Sequence, residues 1–214
     1  MVTEWAGLPR RLRQALEDFL RAGDAATARD LVEQHPELLG DPVQRALADA
    51  VERYRRQGDP SVGALRSRAD LLARCRAEGV DAVFGPIIEH DAFAMRGRAL
   101  LAAARQEDER WERDHDPAAL RRAAEVWQEI GAMLPADGPD RAGAANEAAA
   151  RLLRCYESTK DMADLEAGRT LISRAIAGTP AGSPERALRL VNLGAAWRAT
   201  YERTDGSRLR GNAR

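Results

Sequence analysis

Pro135-Ala-Asp-Gly-Pro-Asp-Arg-Ala142 returns 45 residues later as Pro180-Ala-Gly-Ser-Pro-Glu-Arg-Ala187, and this echo decides how the chain is read. The register extends outward. Arg96, Arg141 and Arg186 share it, and each is followed 15 residues on by an aromatic and a glutamate: Trp111-Glu112, Tyr156-Glu157 and Tyr201-Glu202. Ala150/Ala195 and Thr159/Thr204 match as well. A fixed period of this size signals stacked helical units, because one unit cannot bury its apolar face alone and leans on its neighbour. Prolines 135, 139, 180 and 184 fall between helices, where a missing N–H and a fixed φ cost least.

The remaining pattern places helices at about 92–112, 117–134, 139–159, 162–177 and 184–204. Before residue 92 the period is lost, since one step back from Arg96 and Trp111 gives Val51 and Arg66. Residues 1–91 therefore read as a separate helical module, and 92–214 as the repeats, the last unit incomplete. In the first part Leu8, Leu12, Leu16, Phe19 and Leu20 form one apolar stripe ended by Gly23. A short helix follows from Ala25 to Gln34. Asp41-Pro42 opens the next, with Asp41 as expected N-cap and Val43, Leu47, Ala50, Val51 and Tyr54 on its inner face. Another runs from about Pro60 to Gly79. The segment from Val80 to Ile88 has a β-like flavour and contains Gly85-Pro86, so it is expected as an apolar connector or short helix.

Composition narrows the function classes. The 214 residues carry a formal charge of -1, which gives no overall pull toward nucleic acid or anionic lipid. Arginine clusters such as Arg10-Arg11-Leu12-Arg13 and Arg53/Arg55/Arg56 are interleaved with Glu and Asp, and read as self-neutralising pairs. Lys160 is the single lysine, a bias that fits GC-rich coding. The stretch around Glu4 and Arg10–Arg13 lacks the apolar run of a signal peptide, and no segment reaches the ~18 apolar residues of a membrane span. A cytoplasmic protein without nucleic-acid or membrane partners is expected.

Enzyme chemistry finds little support. Cys75 and Cys155 sit on apolar stripes and read as small buried hydrophobes, so neither makes a thiolate pair with His90 or His115. Asp114, His115 and Asp116 are adjacent and point apart on a helix, which disfavours a metal site. No phosphate-cradling glycine loop, zinc-spaced cysteine set or nucleophile elbow occurs. The expectation is a non-enzyme with no catalytic residue, metal or cofactor.

The second helix of each unit carries a size code. Ala123, Trp127, Ile130 and Pro135 correspond to Gly168, Ile172, Ala175 and Pro180, and the last first-helix reads Leu190, Leu193, Gly194 and Trp197. Small, large, apolar, then proline resembles the tetratricopeptide repeat over residues ~92–206. The unit is longer than the ~34 residues of that family, and in length nearer the ~40–47 of HEAT and armadillo repeats. The resemblance implies an all-α protein whose repeats wind as a right-handed α-α superhelix. The wording of the repeats, with His35-Pro-Glu-Leu-Leu39 and Leu72 to Val80, is similar to arrays of GC-rich bacteria that precede caspase-like CHAT domains. Only the scaffold carries over, because no strand-borne His/Cys pair is present.

What the resemblance implies for function is a concave face formed by the first helices. Mapped on this chain it comprises Arg98, Leu101, Arg105 and Asp108, then Asn146, Ala150 and Leu153, then Leu188, Val191, Ala195 and Arg198. The family's carboxylate-clamp slots hold Val191 and Asn192 in the last unit, so a C-terminal-peptide clamp is not expected. The implied function is a protein–protein scaffold for an acidic or amphipathic segment. The alternative is the non-catalytic regulatory part of a CHAT peptidase-type system. The chain stops at Thr204 to Arg214, where a partner helix would follow, leaving Leu190, Leu193 and Trp197 to be covered by self-association, another chain or further repeats.

Overall fold

The computed structural model describes residue 5 and residues 7–211, with side chains through residue 202. The expectations placed on Glu4, on Thr204 and on the terminal stretch to Arg214 concern side chains outside that range. Among the described residues the protein is all-helical, with no strand. It divides into two compact units, Met1–Ala94 and Met95–Arg214.

The first unit contains α1 (Arg10–Arg21), α2 (Ala25–Gln34), a 3₁₀ turn (Pro36–Leu39), α3 (Asp41–Gln57), α4 (Val62–Glu78) and the start of α5 (Val80–Asp114). Its core is aliphatic and aromatic: Leu16, Phe19, Leu38, Leu47, Leu72 and Phe84 are wholly buried together. Asp24 caps α2 by accepting from the Thr27 amide at 2.7 Å. Gly58 ends α3 in the left-handed region at φ 66°, which a residue without Cβ adopts freely. One expectation is corrected here. The N-cap of α3 is Gly40, and Asp41 lies in the first turn, where its carboxylate accepts from Arg76 of α4.

A second correction concerns Val80–Ile88. It is continuous helix, the opening of α5, and carries Pro86 inside it. Proline there costs roughly 3 kcal/mol through its absent donor and ring clash. Val83 and Phe84 are buried in the first core, each contributing about 1.5–3 kcal/mol, which offsets that cost.

The second unit holds the rest of α5, then α6 (Pro117–Met133), α7 (Pro139–Thr159), α8 (Met162–Ala177) and α9 (Pro184–Gly211); the last is a further correction, because the helix expected to end near residue 204 continues to Gly211. Consecutive helices pack pairwise, α6 on α7, α7 on α8 and α8 on α9. The size code has a physical cause. A Cβ on Gly168 would lie 3.1 Å from Leu153 Cδ2 and 3.4 Å from the Ala149 carbonyl, so α7 and α8 touch almost backbone to backbone. Asp116 and Asp161 cap α6 and α8 by accepting from Ala118 at 2.9 Å and Ala163 at 3.0 Å.

The repeated arginine also gains a role. Arg141 donates to the Leu134 carbonyl at 3.5 Å, and Arg186, one period on, to the Thr179 carbonyl at 2.8 Å. Each closes the Pro-bounded turn by satisfying a carbonyl at the end of the previous helix. Arg96 has no such turn behind it, because it stands inside α5.

Candidate functional site

Within the second unit a cleft of about 770 Å³ opens between the first helices of successive repeats. Leu101 of α5, Asn146 of α7 and Leu188 of α9 line it, with Ile130 and Leu134 of α6 as apolar floor. Leu101 and Asn146 hold the same register position one period apart, and Leu188 stands one period from Gly143, a turn before Asn146 on the same face of α7 and also in the lining. Leu101 and Leu188 are exposed at 38 % and 61 %. Trp127 forms another wall, its ring covered by the Arg151 guanidinium at 5.3 Å from the centroid.

The charged groups of the cleft are mostly acidic. Asp140 and Glu185 stand one period apart at its rim, and Glu147 faces it from α7. Glu185 accepts from the Ser183 hydroxyl, which holds its carboxyl below the ordinary range. Arg189 is buried and donates to the Thr179 hydroxyl, which donates in turn to the Ala175 carbonyl. Trp127 Nε1 and Asn146 Oδ1, a donor and an acceptor in the same walls, are buried without a hydrogen-bond partner among the described residues. Such orphans are rare in folded proteins.

The other expected groove residues go elsewhere. Asp108 is held by Arg151 of α7 through two bonds of 3.2 and 2.7 Å. Arg151 also bonds Glu147, so the carboxylates of α5 and α7 share one cation. Leu153 packs against Gly168 and into the core between α7 and α8, which makes it a structural residue. Val191 is exposed at 68 % on α9 but does not line the cleft. Ala150 and Ala195 are exposed outside it too. Arg98 and Arg105 are exposed on α5, and Arg198 lies 4.0 Å from Glu202. None of these three arginines lines the cleft.

Sequence reasoning missed Asp140, Glu147, Glu185 and Arg189. A signal for two of them was present, since Asp140 and Glu185 occupy one register position beside the repeated arginines.

Of the titratable groups singled out for chemistry, Cys155, Asp114, His115 and Asp116 have structural partners, Cys75 is buried and His90 is exposed on α5. The Cys155 thiol is pushed up to about 11, mainly by burial and then by Asp164, and donates to the Pro117 carbonyl at 3.6 Å. Burial raises the Cys75 thiol. Asp114 pairs with Arg113, His115 Nδ1 lies 3.0 Å from the Trp111 carbonyl, and Asp116 is the α6 cap. Among the described residues no group of three or more His, Cys, Asp or Glu is arranged to hold a metal ion. No described helix is long and apolar enough to cross a membrane. Comparison with protein-family models, curated proteins and solved structures returned no match.

Proposed function

We propose that the second unit is a tetratricopeptide-like array, wound as a right-handed superhelix, whose cleft takes a segment of another protein. The carrying observation is that Leu101, Asn146 and Leu188, one from each first helix, line a single cleft. Its apolar floor and acidic rim suit an amphipathic segment better than an acidic one, because Arg98, Arg105 and Arg198 stand outside it. Apolar side chains of the guest would rest on Leu101, Ile130, Leu134 and Leu188. Its basic groups would face Asp140, Glu147 and Glu185. The unpaired Trp127 N–H and Asn146 carbonyl oxygen are placed to gain partners from a guest backbone after a small side-chain shift.

A photo-crosslinking side chain at Leu188, compared with one at the exposed Glu166 of α8, tests this reading. Discrete protein adducts should form from position 188 and not from 166. Leu101→Asp should weaken their formation at least about tenfold, the effect of losing a central apolar anchor. Identical adducts from both positions, or indifference to Leu101→Asp, would remove the cleft as the binding surface.

A further inference from the structure

We propose that a small cavity between α6, α7 and α8 binds a small apolar carboxylate, whose anion is held by Arg141 and Arg174. The cavity measures about 250 Å³, and Trp127 and Ala132 of α6, Ala142 of α7 and Leu171 of α8 give it apolar walls. It is distinct from the cleft, since among the described residues Trp127 alone is common to both linings. The room comes from side-chain size. Gly131 and Ala145 stand in the lining, and the same register positions one period on hold Ile176 and Leu190. A Cβ on Gly131 would make ordinary contact with the Ala144 Cβ at 3.5 Å, so the packing of α7 does not force glycine there. The first repeat is thus hollow where the next carries larger residues.

The charge of the cavity is of one sign. Arg141 and Arg174 are its only charged lining residues among those described, and both are exposed. Arg121, Arg122 and Arg151 are each paired with a carboxylate, but no carboxylate stands by these two. The Arg174 guanidinium has no hydrogen-bond or ion-pair partner among the described residues. Arg141 makes one bond, to the Leu134 carbonyl at the long distance of 3.5 Å. Arg186, one period on, is committed to both the Ile176 and Thr179 carbonyls. Two helix ends also meet here, α7 by its N-cap Gly138 and α8 by its C-cap Gly178. Their opposite partial charges offset, so the guanidiniums set the sign. A guanidinium matches the planar fork of a carboxylate. The apolar walls favour an anion on an apolar body over free phosphate, which would lose its hydration against them. With about 30 Å³ per water, the space holds roughly eight waters, or a ligand of roughly ten non-hydrogen atoms. Benzoate is of that size and chemistry.

Titration of the nitrogen-15-labelled full chain with benzoate tests the proposal, read at the Trp127 indole N–H resonance (identified by its loss in Trp127→Phe). A saturable shift with a Kd of about a millimolar is expected for a ligand of this size. Benzyl alcohol has the shape without the charge, and inorganic phosphate the charge without the apolar body. Each should bind at least about tenfold more weakly. Arg141→Gln and Arg174→Gln should each weaken benzoate at least about fivefold. Ala145→Leu, which installs the residue found one period on, should abolish its binding. Leu101→Asp, in the cleft, should leave it unchanged, so a failure of the cleft reading and a failure of this one are told apart. If an arginine variant fails to fold, by circular dichroism, Ala145→Leu and the two control ligands decide alone. Equal binding by either control, a benzoate shift indifferent to Ala145→Leu, or no saturable shift well above the expected Kd would overturn the proposal.

Discussion

Phe19, Phe84 and Leu16 are wholly buried in one cluster in the first unit, joined by residues from α1 to α5. In the second unit the interior is built largely from small residues, with Ala123, Ala148, Ala149 and Ala175 fully buried and Gly168 against Leu153. Its helices are tied by arginines that reach across the sequence, Arg121 to Asp164 at 2.8 Å, Arg122 to Glu107 at 2.9 Å and Arg151 to Asp108 at 2.7 Å. The difference teaches how a repeat differs from an ordinary core. Large side chains converge from many directions and make a closed cluster. Small ones allow helices to stack face to face, and the stack leaves a cleft along one side.

The largest change expected from this contrast is in the first unit. Phe19→Ala should destabilise it by about 3–5 kcal/mol, read by chemical denaturation, because the cavity would lie in a cluster with no solvent-facing side. A loss below about 1 kcal/mol would mean that the cluster collapses easily and that the contrast is overstated. In the second unit the corresponding sensitivity is to added volume. Gly168→Leu should cost about 1–3 kcal/mol, since the new side chain meets Leu153 and the α7 backbone. Gly97→Ala in α5, where a Cβ meets nothing within 4 Å, should stabilise by about 0.5–1 kcal/mol through helix propensity. Equal effects at both glycines would break the close-approach account.

Arg121→Ala should cost about 1–2 kcal/mol. Asp164 has a 7 % exposed side chain and would lose its cation, but it keeps the Cys155 and Thr159 side chains beside it, and Arg121 is 40 % exposed and screened, so the full cost of a buried pair is not expected. The bond from Arg121 lowers the Asp164 pKa, opposed by burial. A carboxyl lowered on folding adds stability above its unfolded pKa, and that stability is lost as pH falls from the ordinary carboxylate range toward the folded value. The acid limb of a stability–pH profile should therefore flatten in the variant. The smallest effect is chemical. With its thiol at about 11, Cys155 should resist alkylation at neutral pH until the second unit unfolds, as measured by modification rate against denaturant.

The helices from α6 to α8 and the start of α9 were legible because prolines and caps mark their ends and the size code repeats in register; the far end of α9 was not, since no proline or cap marks where it stops. The opening of α5 was not. Gly85-Pro86 reads locally as a break, and only the burial of Val83 and Phe84 among residues distant in sequence holds the helix through it. For the cleft, Leu101, Asn146 and Leu188 were legible from periodicity. Asp108 and Leu153 were misplaced because periodicity gives a face without saying which of its residues a neighbouring helix claims. Arg151 takes the first and Gly168 admits the second.

The account rests on α5, α7 and α9 presenting one shared cleft. Its most direct test introduces Leu101→Cys with Leu188→Cys and treats the folded protein with a flexible bifunctional maleimide, the native thiols being buried. An intramolecular bridge between the two introduced cysteines is predicted in the monomer fraction. Modification of each cysteine singly, with no bridge formed, would contradict it.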